Sequence, residues 1–227
     1  MSSLPNVAQV GALIGDPVRA AILGALMDGS ERPAGELAGL SGVSPQTASA
    51  HLARLLDGGL LAVNRHGRHR YYRLRDADVA HAIETLSVAA DFAPRRSQRV
   101  DPVLKRARRC YDHVAGELGV AICDTLIADG RVIAGGDGYT LSANGRDWMR
   151  CMHLDPPPDT RRPLVRPCLD WTERRPHLAG WLGAAICTVL ENEGALLRIS
   201  EGRALRLTPH GAEVLRRRFG VSWFAGA

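Results

Sequence analysis

SPQTASAHLARLLDGG, residues 44–59, reads as one capped amphipathic helix. Ser44 offers a side-chain oxygen to the unpaired N–H groups of a first turn, and Pro45 suits the first helical position. Ala48, Leu52, Leu55 and Leu56 recur at helical spacing and form the side to be buried. Gln46, Thr47, Ser49, His51 and Arg54 are left for the outer side. Short polar groups near a helix N-terminus, where the dipole favours phosphate, are what a helix needs to approach base edges in a major groove. Gly58-Gly59 ends the helix.

Upstream, Asp16-Pro17 repeats the same opening ahead of Val18, Ile22, Leu23 and Leu26. A short helix is expected over 34–40, followed by a tight turn at Ser41-Gly42-Val43. Downstream, two β-like runs, 60–65 and 70–74, are joined through His66-Gly67-Arg68-His69, and a last helix runs from 76 to 90. Helix, turn, helix and basic hairpin, in that order, make a winged helix-turn-helix. The expected DNA contacts are Ser44, Gln46, Thr47, Ser49, His51 and Arg54 on the helix. Arg65, Arg68 and Arg70 on the hairpin are expected to reach phosphate or the minor groove.

Residues 1–90 carry eight Arg and eight acids, and residues 110–227 carry fourteen basic and fourteen acidic side chains. The net charge of +5 therefore arises within 91–109, DFAPRRSQRVDPVLKRARR, with seven basic residues against two acids. Such a segment attracts phosphate polyanions or forms a solvated helix start. No apolar run is long enough to span a bilayer, the N-terminus lacks a secretory pattern, and five unpatterned cysteines suit reduced thiols, so a cytoplasmic protein is expected. No HExxH, GxSxG, phosphate loop or GxGxxG motif occurs, and no enzyme is expected, an enzyme with an appended DNA-binding domain being the alternative from another class.

GDPVRAAILGAL, ELAGLSGVSPQTASAHLARLLDGGLL and GRHRYYRL, taken in order over about residues 6–90, resemble the ArsR/SmtB family of bacterial repressors. The resemblance implies a homodimer joined through the first and last helices of this domain. It also implies binding to a near-palindromic double-stranded operator, release by an inducer, and no membrane. The inducer itself does not follow. Where some relatives carry metal-binding thiols on the helix before the recognition helix, this chain has Ala38 and Leu40. A last-helix metal site would begin at Asp76 and Asp78 but end at Ala89 and Phe92, which cannot ligate. Asp78, His81 and Glu84 read instead as a solvated helix face.

The remainder contains a repeat. CYDHVAGELGVAICDTLIADG (110–130) echoes HLAGWLGAAICTVLENEG (177–194) at an offset that pairs His113 with His177, Gly119 with Gly183 and Cys123 with Cys187. A Cys-x-Asp element precedes each copy, at Cys110 and Cys168. The fold expected is mainly α with small β-hairpins (α+β). It comprises a winged helix-turn-helix (1–90), a basic linker or helix start (91–109), and a C-terminal sensor or dimerisation domain of two helix–hairpin–helix units (110–150 and 168–220). Small residues at 116, 119 and 123, and at 180, 183 and 187, share a helix face and would let two helices approach closely.

Cys123 and Cys187 read as core residues. Cys110, His113, Cys168 and His177 are candidate ligands for a tetrahedral zinc, a soft metal or a metalloid, although no cofactor is required. A thiol redox switch, an apolar inducer bound elsewhere, or a partner-docking module without a ligand stays open beside it. So does a bracing role for both histidines.

Overall fold

The computed structural model describes residues 7–67, 69–90, 101–136, 138–199 and 202–223. They divide into one unit up to Ile83 and another from Glu84.

The first unit opens with α1 (Val7–Ile14) and α2 (Pro17–Ala25), then β1 (Arg32–Pro33), α3 (Ala34–Ser41) and α4 (Pro45–Asp57). The wing strands β2 (Leu61–His66) and β3 (His69–Leu74) follow, and α5 (Ala77–Ala90) carries the chain into the second unit. The sheet is antiparallel in the order β1-β3-β2. Side chains cap the helices where the sequence places them: Asp16 accepts from the Arg19 N–H at 3.0 Å, and Ser44 from the Thr47 N–H at 3.2 Å. Gly42, at φ 70°, turns the chain between α3 and α4. Ile22, Leu26, Leu37, Ala48, Leu52, Leu55 and Leu74 are wholly buried, so the apolar side of α4 is its packed side. α1 and β1 had no clear sequence signal. α1 is apolar apart from Gln9 and has no buried residue, while β1 is a two-residue strand whose Arg32 is held by Asp28 and Glu36.

The second unit begins with the five-residue α6 (Pro102–Arg106). Then β4 (Arg108–Cys110), β5 (His113–Ala115), α7 (Gly116–Ala128), β6 (Val132–Gly135), β7 (Gly138–Leu141) and α8 (Ala143–Cys151) follow. The same order recurs in β8 (Arg166–Leu169), β9 (Pro176–Ala179), α9 (Gly180–Asn192), β10 (Leu196–Arg198), β11 (Leu205–Leu207) and α10 (Pro209–Val214), which continues as a π-helical turn to Phe219. Each half therefore opens with a β-hairpin that the helix–hairpin–helix reading did not contain. Leu118, Cys123, Leu126, Leu182, Cys187, Leu190 and Phe219 lie at the centre of the core.

The glycine face works differently from the expected helix-to-helix approach. A Cβ on Gly119 would stand 2.4 Å from the Val114 carbonyl oxygen and 3.4 Å from the His177 Cβ. On Gly183 it would stand 2.3 Å from the Leu178 oxygen and 3.4 Å from the His113 Cβ. Each helix thus presses on its own hairpin and on the histidine strand of the other half. Glu84 also departs from expectation: it is buried, 3.5 Å from Arg108 and 3.7 Å from Arg203, not solvated.

Of the basic segment, 91–100 lies outside the described residues. Arg108 is wholly buried, and Arg109 pairs with Glu191 at 3.2 Å, so these two cations serve the fold and not a phosphate surface. No described helix is long and apolar enough by itself to cross a membrane.

Candidate nucleic-acid interface and candidate metal centre

On α4, Ser44, Gln46, Thr47, Ser49 and Arg54 are exposed. Their local bonds keep the first turn rigid: the Ser44 and Thr47 hydroxyls lie 2.9 Å apart, and Ser49 Oγ donates to the Pro45 oxygen at 2.8 Å. Gln46 lies unburied between them. His51 differs from its expected outward position. It is half-buried, with Nδ1 3.5 Å from Asp16 Oδ1 at the start of α2. On the wing, Arg65 and Arg70 are cross-strand partners and exposed, next to the terminal pair His66 and His69. Arg68 lies outside the described residues. Arg73 is turned inward to Glu31 and to backbone oxygens.

In the second unit, Cys110 pairs across the strands with His113, and Cys168 with His177. The first hairpin turns tightly through Tyr111 and Asp112, with Tyr111 at φ 64°. The second is longer, and its extra residues form a loop beyond the Leu169–Pro176 pair. Two sequence spacings thus give one register. The glycine contacts bring the hairpins together, leaving the His113 and His177 Nε2 atoms 3.1 Å apart. Ligating atoms of Cys110, His113, Cys168 and His177 all lie within 4.8 Å of one another, and all four residues are buried.

A carboxylate stands behind each imidazole. Asp112 Oδ1 is 3.0 Å from His113 Nδ1, and two bonds from Arg162, 2.6 and 3.1 Å, fix that carboxylate. Asp170 Oδ2 is 3.2 Å from His177 Nδ1, an ion-pair distance without hydrogen-bond alignment. Asp170 also accepts from Arg108 at 2.8 Å, from the Gly116 N–H at 2.7 Å and from the Thr172 hydroxyl at 2.7 Å.

Burial opposes ionisation of Asp112, but His113 and Arg162 outweigh it and hold its carboxyl at about 2. Asp170 is likewise depressed against burial, by His177 and Arg108. For His177 burial is outweighed by Asp170 and Cys110, raising it to about 9. Cys110 is pushed far up by Cys168 and by burial. Burial alone dominates at Cys123, at about 11, and at Cys187, at about 12, which suits inert core thiols. Exposed Cys151 ends α8 and stands apart from the cluster.

A carboxylate lies beside each outer ring nitrogen, and the two inner nitrogens meet at one point. Two thiols converge there as well. A donor set of two sulfurs and two imidazoles with carboxylates behind the rings fits a tetrahedral cation. Sequence reasoning named the four donors, but gave no role to Asp112, Asp170, Arg108 or Arg162. The two aspartates stood in the Cys-x-Asp elements, whereas nothing marked the arginines. A separate open cleft of about 560 Å³ has Val103, Ala107, Leu205, Leu207 and Trp223 among its walls.

Residues 14–64 match a family model described as a helix-turn-helix domain. Over 222 residues the chain is 39% identical to the HTH-type transcriptional regulator YdfF of Bacillus subtilis, covering 96% of this chain and 98% of that protein. A solved homodimeric winged helix-turn-helix DNA-binding domain from Mycobacterium bovis, described as a possible ArsR-family transcriptional regulator, is 30% identical and covers 44% of this chain and 100% of its own, with a TM-score of 0.37. The solved cadmium metal-sensor CmtR of Mycobacterium tuberculosis is 35% identical and covers 41% of this chain and 96% of its own, with a TM-score of 0.33.

Proposed function

Since this chain belongs to the HTH-type transcriptional regulators, we propose that it is an ArsR-like repressor, that it represses from a near-palindromic operator as a homodimer, and that its second unit governs release. The exposed polar opening of α4, capped by Ser44 and packed from behind by Leu52 and Leu55, carries this reading. Gln46, Thr47 and Ser49 read base edges, Ser44 and Arg54 lie along the flanking backbone, and Arg65, Arg68 and Arg70 hold phosphates or the minor groove. His51 orients α4 against α2 and makes no base contact.

The dimer joins through α1 and α5. On α1, Val7 is 66% exposed and Val10 40%, apolar side chains that suit a second copy. Such a dimer sets two copies of α4 about 34 Å apart, one helical turn of DNA. DNA reading lies within 1–90 and sensing in the C-terminal part, whose halves repeat one hairpin–helix–hairpin–helix order. A cytoplasmic regulator without catalysis is in keeping with this.

The test is anisotropy titration of specific and random duplexes. Gln46→Ala is expected to change sequence preference, whereas Arg65→Ala with Arg70→Ala weakens both duplexes and lowers the salt slope by about 1 per arginine. Equal effects of both variants on both duplexes would refute the roles assigned. The Cys/His cluster favours zinc or a soft metal as the signal, with a metalloid, thiol oxidation and an apolar molecule in the 560 Å³ cleft as competing signals.

A further inference from the structure

We propose that Cys110, His113, Cys168 and His177 form a closed four-ligand site for one thiophilic divalent cation of the zinc and cadmium class, with one thiolate and one imidazole from each half of the second unit. The inference rests on the reading of that unit as the sensing module and gives its signal a chemistry.

Four observations converge. The donors come from two hairpins of equal Cys–His register, although their sequence spacings differ. The two Nε2 atoms stand 3.1 Å apart, close to the edge of about 3.3 Å that two imidazoles share on a tetrahedral zinc. His113 Nδ1 lies 3.0 Å from Asp112 and His177 Nδ1 3.2 Å from Asp170, so that with a cation on the inner nitrogens the proton on each outer nitrogen would have a carboxylate beside it. Each aspartate is in turn clamped by an arginine, Arg162 or Arg108. A purely structural histidine pair has no need of two buried thiols aimed at the same point.

The donor set also selects the cation. Two sulfurs and two nitrogens exclude hard cations, which take oxygen ligands. Trivalent arsenic, which takes three thiolates, finds only two here. Soft-to-borderline divalent ions that accept a tetrahedral S₂N₂ shell remain, and all four places are filled by protein, as in a structural or regulatory site and not a catalytic one. Gly119 and Gly183 are part of the construction, because a side chain on either would hold the histidine strands apart.

The experiment uses the full chain, purified with reduced thiols, and Co(II), Zn(II) and Cd(II) as probes. Elemental analysis is expected to give about one cation per chain. Co(II) loading is expected to give intense visible bands of a tetrahedral centre and a thiolate-to-cobalt charge-transfer band, and Zn(II) or Cd(II) should displace it. Cys110→Ser and Cys168→Ser should each abolish the charge-transfer band or halve it, while Cys151→Ser leaves it unchanged. Should a serine variant fail to fold, the wild-type cobalt spectrum still decides. A folded wild-type chain that takes up no cation, or shows octahedral cobalt bands only, overturns the site. Parallel titration of operator DNA separates the two claims. A cation bound as described, with operator affinity unmoved, supports the site and overturns its sensing role; normal DNA binding by a chain that takes up no cation overturns the site alone.

Discussion

Asp112 stands 3.0 Å from the Nδ1 of the His113 ring that it orients. Its place beside His113 was visible as part of a Cys-x-Asp element, but its pairing with Arg162 joins positions far apart in the chain and left no periodic trace. Asp112→Asn keeps the shape and removes the charge that orients the ring. We expect cation affinity to fall about 10- to 100-fold with the fold retained, measured by competition with a chromophoric chelator; unchanged affinity would show that the carboxylate does not serve the ligand. His51 makes the opposite point. Helical spacing alone assigned it to the outer side, and its proximity to Asp16 turned it inward, because a partner on α2 is invisible to the periodicity of α4. Gly119→Ala would place a methyl against the Val114 carbonyl, a backbone atom that cannot swing aside. The expected cost is about 1–3 kcal/mol in urea unfolding, together with weakened Co(II) uptake.

At the scale of elements, the winged helix was legible almost throughout, since its boundaries are set by local chemistry: Asp16 and Ser44 at N-caps, Gly42 and the Gly58-Gly59 pair at stops. Ser44→Ala should cost about 1 kcal/mol, seen as a lower urea midpoint and, if the first turn reads DNA, as weaker operator binding. Asp16 is held below the usual carboxylate range, chiefly by the Arg19 backbone N–H, with smaller help from the charges of Arg19 and His51 against desolvation. The depressed carboxyl stabilises α2 above the usual carboxylate range and loses that contribution as pH falls through it. Asp16→Asn should flatten the acid limb of a pH–stability profile. The hairpin that opens each half lay outside that reading because its strands are three or four residues long, too short for alternation to show. The offset of 64 between repeats was visible, yet its consequence, helices packing on opposite histidine strands, required the glycine contacts.

For the whole molecule, α5 is the element shared by both units, and its Glu84 lies between Arg108 and Arg203. Arg108 also holds Asp170, behind His177, so a chain of charge contacts runs from the candidate metal centre to α5. Glu84→Gln is expected to leave Zn(II) affinity intact while reducing the effect of Zn(II) on operator binding several-fold; an unaltered effect would place the coupling elsewhere. Val7→Asp with Val10→Asp should shift sedimentation toward monomer and weaken operator binding with it. The most direct trial of the DNA-reading claim is selection of duplexes from a random pool by the full chain, compared with a Gln46→Ala, Thr47→Ala variant. Wild type should enrich one near-palindromic sequence with half-sites about 10 base pairs apart, and the variant should lose or change that preference. The same enriched sequence from both proteins, or none from either, would contradict the assignment of α4 to the major groove.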